Sequence, residues 1–190
     1  MVEVERDKRA QGLREAIARV LDGIPRLIAG PVLIHAHDWH TSLALMYMRT
    51  YGELKERFAD TPTVLSVHNA GYQGHFPAAM LNDCGIPPEV YNFRHLEWYD
   101  RINFLKGGLT FADMVVTVSP THAQELRTPG GGFGLQEVFQ WLGPRFTGIT
   151  NGIDQALWNP ATDEQITANY SRTDTANKAK CKAALQRSFG

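Results

Sequence analysis

The sequence predicts an α/β fold in which a parallel β-sheet has helices on both faces. Two observations lead to this prediction. Short apolar runs rich in valine recur along the chain, and such runs are typical of strands buried within parallel sheets. Between the runs lie segments with apolar residues at helical spacing, and alternating strands and helices favour a parallel sheet.

The bulk composition is that of an ordinary globular domain. The chain has 190 residues, of which 43% are hydrophobic and 21% charged, and its formal net charge is -1 at pH 7. That charge offers no electrostatic footprint for nucleic acid. No apolar run approaches the ~18 residues of a membrane span, and the charged start is unlike a secretory signal. The two cysteines, Cys84 and Cys181, have no metal-binding spacing. We therefore expect a cytoplasmic protein without nucleic-acid or membrane partners.

The individual elements follow from the same patterns. Apolar spacing predicts a first helix over Asp7 to Leu27. The apolar run after Gly30-Pro31 predicts a strand over 32–37. The next helix is predicted over Thr41 to Tyr51, and Asp38 or Thr41 could cap it. The remaining predicted elements are strands at 63–68, 114–118 and 146–150, and helices at 102–111, 121–127, 135–142 and 175–189.

Two loops separate these elements. The segment from Asn69 to about Tyr91 is long and rich in glycine and proline, and long loops inside compact domains are commonly functional. The glycine run 130–132 follows a predicted helix instead of a strand. We therefore interpret that run as a flexible, hinge-like loop and not as a phosphate-binding loop.

Polar and aromatic residues are concentrated where the first predicted strand ends. Ligands bind at the carboxyl ends of the strands in parallel sheets. Asp38 and Trp39 lie at this position, and a carboxylate and an indole suit a sugar, which has hydroxyls and an apolar face. These two residues are therefore candidate ligand contacts.

Three histidines surround the same position. His35 and His37 are two residues apart, so both side chains point to one face of the strand. With Asp38 and His40 they could form a metal site. For His35 and His37 we favour hydrogen-bonded, structural histidines, and we expect no metal and no cofactor.

Five motifs stand in order along the chain. They are HAHDWH (35–40), SVHNAGYQG (66–74), INFLKGGL (102–109), TVSPTHAQEL (117–126) and ITNGIDQALWNPATD (149–163). Together they closely resemble the bacterial glycogen synthases and the related starch synthases, from about Pro31 to Gly190. Each motif alone is a weak signal, whereas five in this order and spacing are specific.

The resemblance implies a fold and an activity. Enzymes of this family have two Rossmann-like domains that face each other across a cleft, the GT-B arrangement. They transfer glucose from a nucleotide sugar, usually ADP-glucose, to the non-reducing end of an α-1,4-glucan with retention of configuration. The resemblance implies that residues 1–151 are part of the N-terminal domain of such a two-domain glycosyltransferase. Residues 152–190 resemble the linker, and the start of a helix, that lead into a C-terminal domain absent here.

The resemblance also identifies site residues. The positions that match catalytic residues near the transferred glucose are His68, Asp38 and Asn151. The positions that match substrate-binding residues are Trp39, Asn69, Tyr72 and Gln73. His68 and Asn151 also follow predicted strands, where ligands bind in such sheets. Without the resemblance, a simple Asn-Gly turn would explain Asn151 equally well, and a core histidine would explain His68.

The chain departs from the family in its donor-binding groups. The family's Lys-x-Gly-Gly-Leu donor loop is absent, because Lys106-Gly107-Gly108-Leu109 belongs to a different motif that usually reads Lys-Ala-Gly-Leu. For Lys106 we expect packing and surface roles in place of phosphate binding. The family's phosphate-clamping arginine and lysine belong to the second domain. We therefore expect the chain alone to be inactive.

Two alternative functions are open at this point. One is another GT-B nucleotide-sugar glucosyltransferase, such as a sucrose or trehalose-phosphate synthase, although HAHDWH and HNAGYQG argue against it. The other is a catalytically silent glucan-binding fragment, which the missing donor half favours for the chain as it stands. Glucan binding without transfer would distinguish the second alternative.

Overall fold

A computed structural model describes residues 32–190, together with Glu15 and Arg19. The helix predicted over Asp7 to Leu27 lies outside the described residues, apart from Glu15 and Arg19, which are helical and exposed. The chain divides into two compact units, Met1–Thr150 and Asn151–Gly190.

The first unit alternates strands and helices from residue 34 onward. In chain order its elements are β1 (Ile34–His37), α1 (Asp38–Thr50), α2 (Gly52–Arg57), β2 (Thr63–Val67), β3 (His75–Pro77), α3 (Met80–Asp83), a 3-10 turn (Pro88–Val90), β4 (Glu97–Trp98), β5 (Arg101–Asn103), α4 (Phe104–Phe111), β6 (Met114–Thr117), α5 (Pro120–Glu125), α6 (Gln136–Trp141), a second 3-10 turn (Gly143–Arg145) and β7 (Phe146–Gly148).

The main sheet is parallel, with the strand order β1-β2-β6-β7. One row of aligned residues runs across all four strands: Ala36, Leu65, Val115 and Phe146. The four strands are those predicted from the apolar runs, with slightly shorter bounds. The predicted α/β fold with a parallel sheet is thus confirmed.

The two faces of this sheet differ in burial. The row from Ala36 to Phe146 is buried, and the helices pack against it: Phe139 of α6 contacts Phe146, and α4 approaches Leu65 at Gly108. The neighbouring rows on the opposite face include the exposed residues His35, His37, Met114 and Thr147. Within the described residues, therefore, the histidines of β1 lie on the more open face.

A second, antiparallel sheet was not predicted. It has the strand order β3-β5-β4 and includes part of the segment predicted to be irregular. Tyr99 and Asp100 connect β4 to β5 with positive φ angles of 48° and 60°, as a tight hairpin turn requires. The helix predicted from Ile102 instead begins at Phe104, because β5 occupies the preceding residues. Strands of two or three residues are too short to produce a recognisable alternation.

Lys106 is buried inside α4, so the expected surface role is wrong. Its ammonium donates hydrogen bonds to the carbonyl oxygens of Phe93, at 2.5 Å, and Glu97, at 2.7 Å. Burial lowers the pKa of Lys106, although the charge of Glu97 raises it in part. The side chain therefore fixes the segment that leads into β4.

Replacing Lys106 by methionine is expected to lower the free energy of unfolding by about 2 kcal/mol. Two carbonyls lose hydrogen bonds from a charged donor, while relief of the ammonium's desolvation offsets part of the loss. Urea unfolding of the two chains measures the difference. Lys55→Met, at an exposed position on α2, is the control. An equal effect of the two substitutions would contradict the structural role of Lys106.

In the glycine run 130–132, Gly131 and Gly132 lie close to neighbouring atoms, whereas Gly130 has open space around it. The amide of Gly132 donates to the carbonyl oxygen of Thr128 at 2.8 Å. A Cβ atom on Gly132 would lie 2.6 Å from Cβ of Gln136 and 2.7 Å from the carbonyl oxygen of Leu126. Close approach of neighbouring atoms, and not flexibility, therefore accounts for this glycine.

The second unit consists of turns followed by one helix, α7 (Lys178–Phe189). The helix predicted over 175–189 is thus present and begins three residues later. Asn177 links the helix to the preceding turns, because its side-chain amide donates to the carbonyl oxygen of Asn169 at 2.9 Å. None of the described helices has the length and apolar character needed to span a membrane.

Candidate active site

The site is assembled where β1 and β2 end side by side. His37 and Ser66 are aligned partners in the parallel register, so the residues that follow them leave the sheet at the same edge. Asp38, His68 and Asn69 are thereby brought together, as the strand-end argument predicted. The closeness of these three residues depends on the pairing of β1 with β2.

Asp38 holds the main chain of the neighbouring strand end. Its Oδ1 atom accepts hydrogen bonds from the amides of His68, at 2.7 Å, and Asn69, at 3.4 Å. The backbone of Asp38 has a φ of 53°, in the left-handed region that aspartate tolerates better than most residues. Asp38 therefore positions His68, in addition to any contact that it makes with a ligand.

The predicted side-chain cap of α1 is not formed. His37 occupies the N-cap position, and no side chain caps the helix. The hydroxyl of Thr41 instead accepts from the amide of His37 at 2.6 Å and donates to its carbonyl at 2.8 Å. Thr41 thus fixes the backbone of His37 in place of capping the helix.

The histidines form a contiguous row on the open face of the sheet. The rings of His35 and His37 have centroids 4.3 Å apart, so both lie on one face as predicted. His35 Nε2 is 2.8 Å from Ser66 Oγ, in agreement with a hydrogen-bonded structural role. His37 Nδ1 is 3.0 Å from His68 Nε2. Among the described residues, no group of three or more histidine, cysteine or acidic side chains is arranged to hold a metal ion.

Trp39 is half-buried against the loop that follows β2. A Cβ atom on Gly74 would lie 2.5 Å from Cε3 of the indole, and Gly74 has a φ of 66°. The indole also lies beside Phe76 and Phe104. Glycine at position 74 is required by both its backbone angle and the indole, so Trp39 shapes this loop.

Gln73 lies in a buried hydrogen-bond network. Its Nε2 atom donates to the carbonyl oxygens of Ala70 and Phe133, both at 2.9 Å. Its Oε1 atom accepts from Nδ2 of Asn103 at 2.7 Å, and Asn103 also lies 3.0 Å from Nε2 of His75. Only 4% of Gln73 is exposed. Gln73 thus joins the loop after β2 to the segment at Phe133, and its contact with substrate stays a prediction.

The remaining site residues are exposed. Asn69 and Tyr72 lie in the turn after β2, and 69% of Tyr72 is accessible. The side-chain oxygen of Asn69 accepts from the amide of Gly71 at 2.9 Å, which fixes the turn. Asn151 is exposed and is the first residue of the second unit.

Sequence reasoning did not identify His37, Asn103 or Phe133 as part of this arrangement. The sequence favoured a structural role for His37, with a metal site as the alternative. The available signal was that His37 and His68 end adjacent apolar runs, although that signal does not specify which strands are neighbours. Asn103 and Phe133 are linked to this arrangement by hydrogen bonds with the buried side-chain amide of Gln73. No local sequence pattern indicates these hydrogen bonds.

The first unit, Met1–Thr150, should lose stability as the pH falls below about 7. Partial desolvation by the surrounding protein lowers the pKa of His35, His75 and His95 from the ordinary value of 6.5, and the charges of Arg101 and Lys106 lower the pKa of His75 and His95 further. The unfolded chain then binds protons at a higher pH than the folded chain does. Stability is therefore greatest above pH 6.5 and is lost as the pH falls through the folded-state values.

Urea unfolding midpoints measured between about pH 8 and 5 test this expectation. His75→Gln should make the dependence shallower, because glutamine does not titrate and its carbonyl can accept from Asn103. A midpoint that does not change across this range would contradict the expected burial of neutral histidines.

Comparisons with known proteins agree with the motifs. A family model of the starch synthase catalytic domain matches residues 4–141. The glycogen synthase of Anaeromyxobacter sp. is 42% identical over 160 residues, which are 84% of this chain and 34% of that protein. That of Leptothrix cholodnii is 43% identical over 173 residues, which are 91% of this chain and 35% of that protein.

A solved structure of a starch synthase also matches this chain. The catalytic domain of starch synthase IV from Arabidopsis thaliana, bound to ADP and acarbose, superposes with a TM-score of 0.68 and 32% identity. The match covers 97% of this chain and 37% of the other. The chain thus spans about a third of the length of the relatives it matches.

Proposed function

Since the chain belongs to the starch synthase catalytic domain family, we propose that the complete protein is a retaining glucosyltransferase. Its donor is ADP-glucose, and its acceptor is the non-reducing end of an α-1,4-glucan. Relatives of 42% and 43% identity are glycogen synthases. The starch synthase that this chain superposes on was bound to ADP and acarbose, a nucleotide and an oligosaccharide of the expected kinds.

The observation that carries the proposal is the pairing of Asp38 with the main chain of His68. The 2.7 Å hydrogen bond places a histidine, an amide and a carboxylate at the carboxyl edge of the parallel sheet, where such folds bind ligands. His68 and Asn69 are exposed there. We assign direct sugar contact to His68, Asn69 and Tyr72, and a positioning role to Asp38.

The proposed chemistry needs positioned polar groups more than an acid or base of unusual strength. Departure of the diphosphate leaves positive character on the anomeric carbon of glucose. Groups held in place before the reaction stabilise such a state without reorganisation, and a fixed sugar reaches the reactive geometry more often. His68 serves this purpose because its backbone is fixed by Asp38. No cofactor is required by this scheme.

The division of the chain fits the same proposal. We assign residues 1–151 to the N-terminal domain of the complete enzyme, and residues 152–190 to the linker and helix that lead to the C-terminal domain. Asn151 then belongs to the catalytic cleft formed by both domains. The donor phosphates are bound by the C-terminal domain, and the enzyme acts in the cytoplasm.

Transfer of radiolabelled glucose from ADP-glucose to glycogen by the complete protein tests the function. His68→Ala should abolish most of the transfer, whereas His122→Ala should not, because the side chain of His122 is paired with Glu125 of the same helix, α5. Glycogen binding without transfer from any nucleotide sugar would indicate a silent glucan-binding protein. Transfer only to a small sugar acceptor would indicate a different glucosyltransferase.

A further inference from the structure

The contact between His37 and His68 restricts the chemistry of both rings. The two nitrogens are 3.0 Å apart, and the ring planes differ by only 10°. A hydrogen bond between imidazoles needs an N–H on one ring and a lone pair on the other. One N–H therefore lies between His37 Nδ1 and His68 Nε2, so that, for two neutral rings, the tautomer of one determines the tautomer of the other.

The pairing determines what His68 can offer a ligand. Because Nε2 is committed to His37, only Nδ1 of His68 can meet an external group. If Nε2 of His68 donates to His37, a neutral His68 has an acceptor at Nδ1. If it accepts from His37, a neutral His68 has a donor there. His37 thus decides whether the outward edge of His68 accepts or donates a hydrogen bond.

His37 is itself well fixed. The hydroxyl of Thr41 bonds both its amide, at 2.6 Å, and its carbonyl, at 2.8 Å. Its ring lies against the ring of His35, with centroids 4.3 Å apart. The ring of His37 is thereby presented to His68 by a rigid strand end, which is what a positioning group requires.

Two consecutive residues of one strand end therefore hold His68 at different points. Asp38 fixes its main-chain amide, and His37 contacts its ring. We propose that His37 is a positioning residue of the site, which sets the ring orientation and the tautomer of His68 toward a sugar hydroxyl. This inference rests on the proposed function, in which His68 contacts the sugar.

Three variants of the complete protein separate this role from a packing role. His37→Phe keeps a ring beside His35 and removes Nδ1. His37→Asn replaces the ring by an amide that can still hydrogen-bond close to the position of Nδ1. His35→Phe is the matched control, because it keeps the ring contact with His37 and loses only the hydrogen bond to Ser66.

The three variants are expected to differ in kcat. His37→Phe should lower kcat roughly ten- to a hundred-fold, the scale of a misplaced reacting group, with little change in the KM for ADP-glucose. His37→Asn should recover part of that loss, and His35→Phe should keep a near-parental kcat. Equal kcat values for His37→Phe and the parent would overturn the inference.

A spectroscopic readout does not depend on activity. In protein labelled with ¹⁵N at histidine, the two ring-nitrogen shifts of His68, identified by their loss in His68→Asn, report which nitrogen carries the proton. These shifts should change in His37→Phe and remain unchanged in His35→Phe. Unchanged shifts in His37→Phe would overturn the inference. Changed shifts in a protein that transfers no glucose would support the pairing and refute the proposed function.

Discussion

Replacing Asp38 by alanine is expected to lower glucosyl transfer by the complete protein roughly ten- to a thousand-fold, the scale of losing one positioned or electrostatic group. The carboxylate accepts a hydrogen bond from the amide of His68 at 2.7 Å. Its loss leaves that amide unpaired and releases the main chain that carries the proposed catalytic histidine. The turnover number should therefore change more than the thermal stability.

Steady-state transfer and thermal melting measured on the same variants test this expectation. Asp38→Asn keeps an oxygen that can accept from His68, and asparagine tolerates the left-handed backbone of this position. It should recover much of the activity if Asp38 acts by positioning, and little if the negative charge itself is required. Asp60→Ala, at an exposed loop position, is the control. A parental turnover in Asp38→Ala would show that the site has been assigned wrongly.

Replacing Gly108 by alanine is expected to lower the free energy of unfolding by about 1–3 kcal/mol, the usual cost of overpacking a core. An added Cβ would lie 2.6 Å from Cβ of Ser42 on α1 and 3.0 Å from Cδ2 of Leu65 on β2. Both neighbours are fully buried, so neither can move without disturbing the core. The helix that carries Asp38 would be pushed from the sheet.

The adjacent glycine provides a matched control. A Cβ on Gly107 would lie 3.1 Å from Cδ1 of Leu96, a wider approach than the 2.6 Å at Gly108, although Leu96 is also buried. Alanine is also favoured over glycine inside helices by about 0.8–1 kcal/mol. Gly107→Ala should therefore destabilise the protein less than Gly108→Ala does in urea unfolding. Similar effects of the two substitutions would contradict the close approach of α1 and α4 at Gly108.

The strands of the main sheet could be predicted because their signal is local. The runs Thr63 to Val67 and Met114 to Thr117 are apolar over most of their length, as expected of buried strands. Pro120 likewise marked the start of α5, where Ser119 caps the helix by accepting from the amide of His122 at 3.0 Å. Signals of this kind need no knowledge of distant residues.

The antiparallel sheet could not be predicted for the opposite reason. β4 has two residues and β5 three, and their pairing depends on Lys106 and Asn103. Lys106 donates to Glu97 at 2.7 Å, and Asn103 caps α4 by accepting from the amide of Lys106. These bonds are made by single polar side chains, and no periodic pattern accompanies them.

The sequence alone determined where the strands of the main sheet lie along the chain, the family and the residues at the strand ends, since each depends on neighbours along the chain or on short motifs. Only the tertiary structure decided how those residues are used. Gln73 was expected to face the substrate and is buried with its amide fully bonded. His37 was expected to be structural and contacts His68, which lies 31 residues away. Both outcomes depend on the pairing of β1 with β2 and on loop packing, because hydrogen bonds between distant residues exist only once the strands are in register.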